Sequence, residues 1–133
     1  METIEIKQSE KQIIASEAML LNSSFNMVCL NGTSFNDISA TNVKIADANL
    51  SDLEIEGAQL GGAYIHKIGM PPEGHPAYDP NKKQRPLRFE DCDLNNSSIH
   101  NCDLSGVAIT DCNTAGMTVN GIAVDELLKA YKG

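Results

Sequence analysis

The chain has no tryptophan, and aromatic residues fill only 5% of its 133 positions. That excludes a wide interior packed with large rings. The 41% hydrophobic content is instead carried mainly by smaller apolar side chains. No apolar run approaches the ~20 residues of a membrane-spanning helix. Met1 to Lys7 shows no basic segment followed by an apolar core, so no secretory signal is expected and the cytoplasm is the expected compartment. Bases are missing altogether from residues 89–121, which hold five acids, and the whole chain carries −8. Phosphate contact needs a basic face, so direct nucleic-acid binding is not expected. No nucleophile motif, phosphate-cradling glycine loop or dinucleotide fingerprint is present. No enzymatic activity and no cofactor are expected.

What is present is a period. Large apolar residues recur at every fifth position in Leu20, Phe25, Leu30, Phe35, Ala40, Ile45, Leu50, Ile55, Leu60 and Ile65, and again in Phe89, Leu94, Ile99, Leu104, Ile109, Thr114 and Val119. Only Ala40 and Thr114 are small for the slot. A helix repeats every 3.6 residues and a strand every 2, so a period of five requires a small unit repeated as an array. Two residues before each centre the side chain is mostly small or apolar, as in Ala48, Leu53, Cys92 and Cys102. Two residues after the centres from Leu20 to Leu60 and from Phe89 to Val119 stands Gly, Asn or Asp, with Met27 the one exception. Those three types best tolerate positive φ. Each unit therefore reads as a short extended piece with two inward side chains, closed by a corner.

Ala48-Asn49-Leu50-Ser51-Asp52, Cys92-Asp93-Leu94-Asn95-Asn96 and Cys102-Asp103-Leu104-Ser105-Gly106 resemble the A-[DN]-L-x-x unit of the pentapeptide-repeat family. The resemblance covers residues 16–65 and 87–121. It implies an all-β fold: a right-handed quadrilateral β-helix of about four coils, about 20 Å long at the ~4.8 Å strand spacing. With four units per coil, Cys92, Cys102 and Cys112 are expected inside as packed thiols, small hydrophobes rather than metal ligands or a Cys92–Cys112 disulfide.

The expected organisation is a single domain: an N-terminal cap over 1–15, repeats over 16–65, an inserted loop over 66–86, repeats over 87–121 and a C-terminal helix over 122–133. Ile4 and Ile6 alternate with polar residues as in an edge strand that covers the open end. Val124, Leu127, Leu128 and Tyr131 fall at i, i+3, i+4 and i+7, one face of a short helix. That face serves either as a lid or as a homodimer contact, since some pentapeptide-repeat proteins pair through their C-terminal ends. The loop holds all five prolines, and its step from Ile65 to Phe89 breaks the register. Residues 66–88 carry five bases against two acids, a net +3, whereas residues 16–65 and 89–121 each carry −5. The loop is expected to be ordered, drawn to the acidic repeats of its own or a partner chain.

Tyr64, His66, His75, Tyr78, Asp79, Lys82, Lys83 and Arg85 form the candidate interaction site. The leading expectation is a non-enzymatic scaffold that presents this loop and the C-terminal helix to a protein partner. The resemblance supplies an alternative, because gyrase-interacting relatives mimic duplex DNA with acidic rods. Here the required column of acids 20 residues apart is broken: Asp37 meets Gly57, and Asp52 meets Gly32. A second alternative is a small-ligand or metal module at the loop. The proline-rich loop and the tail also resemble those of small bacterial members of the family.

Overall fold

The computed structural model describes residues 1–133. Its most regular feature is the corner. From Asn22 to Gly62 and from Asp91 to Gly121, every fifth residue has φ between +50° and +81°, and Glu17 and Lys67 extend the first series at either end. Gly, Asn and Asp take this left-handed conformation at low cost. Met27, at φ +53°, holds it against a penalty of about 1–2 kcal/mol.

Two kinds of corner alternate, so the true repeat is ten residues. One kind is a hydrogen-bonded turn: the centre's carbonyl accepts from the N–H three residues on, as in Leu30–Thr33, Leu50–Leu53, Leu94–Ser97, Leu104–Val107 and Thr114–Met117, at 3.0–3.1 Å. Positive φ at the third residue makes these type II turns. The other kind is an open bend, at Met27, Asp37, Asp47, Gly57, Asp91, Asn101 and Asp111. In the second run a thiol spans the bend: Cys92, Cys102 and Cys112 donate from Sγ to the carbonyls of Glu90, His100 and Thr110 at 3.2, 3.4 and 3.1 Å.

The β-helix expectation fails on what happens between corners. No backbone ladder joins successive turns, and the only strands are the two-residue pieces near the C-terminus. Leu50, Leu60, Leu94 and Leu104, four centres that a shared interior would cover, are 47%, 52%, 56% and 51% exposed. The accessible surface is 14600 Å². A folded chain of 14.3 kDa exposes about 6,800 Å² and an unfolded one about 20,700 Å², so most of the burial that closed coils would provide is absent. The physical reason is locality. A corner follows from the residue that occupies it, whereas stacking needs pairing between residues some 20 positions apart, which must first overcome loop-closure entropy. Two smaller expectations fail with it. Cys92, Cys102 and Cys112 are exposed rather than packed. Thr3 to Lys7 joins no strand, and Ile4 and Ile6 face solvent.

The chain divides into two units, Met1–Gly61 and Gly62–Gly133. The first holds only repeats and the N-terminal segment. The second contains the proline-rich loop, the second run and the one piece of regular secondary structure. There β1 (Thr118–Val119) pairs antiparallel with β2 (Ile122–Ala123), Thr118 opposite Ala123 and Val119 opposite Ile122. Asn120 and Gly121 between them both have positive φ, +49° and +81°, which is the type I′ hairpin turn. Helix α1 (Val124–Lys132) follows directly, tied back by the Val124 N–H to the Met117 carbonyl at 3.0 Å. Asp125 and Glu126 stand at its positive end and Lys129 and Lys132 at its negative end, which stabilises a helix of this length. Thr114, Met117 and Val124, around this hairpin, are among the few half-buried side chains. No helix is long and apolar enough to cross a membrane.

Two outcomes follow from exposed repeats held by local corners. Ellman's reagent will titrate all four cysteines of the native protein at the rate of free thiols; protection of Cys92, Cys102 and Cys112 would contradict the exposure seen here. A Cβ on Gly106 or Gly61 meets no atom within 4 Å, so only backbone strain separates the two sites. Gly106, at φ +74°, strains on substitution, and Gly61 does not. Gly106→Ala will speed exchange of the Val107 amide about fivefold, for a cost of about 1 kcal/mol, and Gly61→Ala will leave its neighbours unchanged or slower.

Candidate functional site

The proline-rich segment folds as three successive turns. The N–H of His75 donates to the Pro72 carbonyl at 3.0 Å, Tyr78 N–H to the His75 carbonyl at 2.9 Å, and Lys82 N–H to the Asp79 carbonyl at 3.2 Å. Proline fixes φ near −65° and lowers the entropy cost of such turns. Side chains reinforce them. His75 Nδ1 accepts the Ala77 N–H at 3.0 Å, and Asp79 Oδ1 accepts the Asn81 N–H at 2.9 Å. Pro71 and Asp79 are the half-buried residues of the segment.

Six of the eight candidate residues fall into two groups rather than one. Tyr64 and His66 stack, with ring centroids 4.0 Å apart and planes 11° from parallel. His75, Tyr78, Asp79 and Lys82 belong to the turn series, where Lys82 Nζ lies 3.9 Å from Asp79 Oδ2. Lys83 and Arg85 follow, and Arg88 pairs with Glu90 at 3.4 Å. The convergence of His66, His75 and Asp79 that a metal or small ligand needs is not formed, and no three His, Cys, Asp or Glu side chains gather to hold an ion. The chemistry of His75 agrees. Its Nδ1 accepts a hydrogen bond, so Nε2 carries the proton of the neutral ring and offers no lone pair. A concave space in the second unit, about 2640 Å³ and lined by residues 65–69 and 84–120, exceeds the 300–1,000 Å³ of ligand pockets and has no buried lining residue.

Sequence reasoning missed a polar feature that shapes the second run. At three of its closed turns, and at Leu50 in the first run, an Asx residue before the centre accepts the N–H two residues on: Asn49 from Ser51, Asp93 from Asn95, Asp103 from Ser105 and Asn113 from Ala115, at 2.9–3.1 Å. The signal was present in the [DN]-L of the repeat motif. At Asp103 the Ser105 hydroxyl donates as well, at 2.6 Å, and together with the Ser105 backbone N–H it holds the carboxyl below its ordinary value. A lowered aspartate pKa means that the turn's ionic contribution is present above the ordinary carboxylate value. It is lost as pH falls through the lowered one. Ser105→Ala will therefore move the Asp103 carboxyl titration, read by NMR, upward toward the ordinary aspartate value. Ser105→Thr will keep it low, and an unchanged midpoint in the alanine variant would show that the hydroxyl is not the cause.

Comparison with models of known protein families, with curated proteins and with solved structures finds no significant match to this chain.

Proposed function

We propose that this chain is a non-enzymatic interaction protein of the pentapeptide-repeat type in sequence, which presents the loop over 66–86 and helix α1 to a protein partner. One observation carries the reading. The residues that the repeat makes apolar face solvent along both runs, while the basic loop that separates the runs in sequence is pre-shaped by three turns. Exposed apolar area of this extent marks an association surface. A loop already folded loses less entropy on binding than a free one. The exposed side of α1, with Leu127, Leu128 and Tyr131, is a second contact and supports pairing with another copy; Val124 is half-buried toward the hairpin. The four free thiols fit a reducing compartment, and the cytoplasm is the proposed location.

The test compares the whole protein with a variant lacking residues 68–85, both used as bait in cell lysate. A partner retained by the whole protein and lost from the deletion variant supports the reading, and equal retention by both removes the loop from it. Loss of supercoiling activity when the protein is added to gyrase at micromolar concentration would instead favour duplex mimicry.

A further inference from the structure

The second unit places unpaired charge of both signs on separate segments. Lys67 stands at a positive-φ corner and Lys83 follows the last of the three turns; neither forms an ion pair, while the neighbouring Lys82 and Arg88 are engaged by Asp79 and Glu90. On the second run, Glu90 is taken by Arg88, and Asp93 and Asp103 spend an oxygen each on their Asx turns. Asp91 and Asp111 remain, 20 residues apart at equivalent open bends, with no ion pair or hydrogen bond. The loop segment is +3 and the acidic run −5 with no base in it.

We propose that the basic segment 66–88 of one copy docks on the acidic run 89–121 of a second copy, with Lys67 and Lys83 facing the free carboxylates at Asp91 and Asp111. This rests on the reading of the loop as the presenting element and names its partner as the chain itself. Each exposed pair contributes little, so the charges set register and orientation, and the exposed apolar residues on both sides supply contact area. Because the two surfaces differ, the contact is heterologous and adds copies head to tail rather than closing as a two-fold dimer. Net charge opposes it. Two chains of −8 repel whenever the Debye length exceeds the separation of the patches. Association is therefore strongest near 0.1 M salt, where that length is about 10 Å, and fails near 1 M, where it is about 3 Å.

Sedimentation velocity of the full chain over a range of concentration and salt tests this. The expected result is a mean mass that rises with concentration past that of a dimer at about 0.1 M salt and returns to the monomer at about 1 M. Lys67→Glu with Lys83→Glu will lower the association constant at least about tenfold, and adding Asp91→Lys with Asp111→Lys to that variant will restore it. Glutamate already occupies the equivalent corner at position 17, and both lysines are exposed, so the charge reversal does not disturb the local turn. Mass that stays monomeric under all conditions overturns the proposal. So does mass that grows with salt, which is the signature of apolar contact, or indifference to the reversal. A closed dimer abolished by Tyr131→Asp assigns self-association to α1 and overturns it equally. A loop-dependent partner captured from lysate by a chain that stays monomeric would sink only this proposal and leave the presenting role of the loop standing.

Discussion

Every regular feature of the repeats depends on one backbone constraint: the residue two past each apolar centre must sit at positive φ. That residue turns the chain, and apart from Asn120 none of the four between turns has positive φ. Where the reversal closes as a type II turn, a carbonyl and an N–H three apart are satisfied. Where it stays an open bend in the second run, a cysteine thiol donates across it. The Asx residue before the centre accepts an N–H from the far side of it. Corner, thiol and carboxylate are separate devices applied to the same stretch of backbone, and all act over two or three residues.

This local order does not by itself make a core. Ordering a backbone residue costs about 1–2 kcal/mol, and an exposed turn hydrogen bond returns about 0.5–1.5 kcal/mol net. Burial normally supplies the difference, and here the apolar centres remain in solvent. The exception is the hairpin and α1, where the Met117 carbonyl holds the first residue of the helix and Thr114, Met117 and Val124 are half-buried. The proposed association role rests on an exposed apolar row, a basic loop shaped by turns and an amphipathic helix.

Legibility in the sequence divided along the same line. The corners from Asn22 to Gly121 were readable because Gly, Asn and Asp announce positive φ directly. The helix was readable because Val124, Leu127, Leu128 and Tyr131 share one face, and its charges are ordered along the dipole. The hairpin went unread although Asn120-Gly121 is a strong turn signal, since Val119 and Gly121 also fit the period of five. The prolines marked where the loop interrupts the period. The way its side chains split, with Tyr64 on His66 and with His75 and Asp79 each bound to its own backbone, was not readable, because hydrogen-bond partners two residues apart compete with any longer-range gathering. The β-helix was inferred from the period through resemblance, and the period specifies only its corners.

The amino-acid sequence by itself determined where the chain turns, which residues are apolar, where the helix lies and how charge is distributed, because each is a property of one residue or of near neighbours. The tertiary structure alone decided whether the turns stack, whether the thiols and leucines are covered and which polar groups meet. Those outcomes depend on pairing distant segments against the entropy of the intervening chain, a balance that no repeated unit of five residues contains.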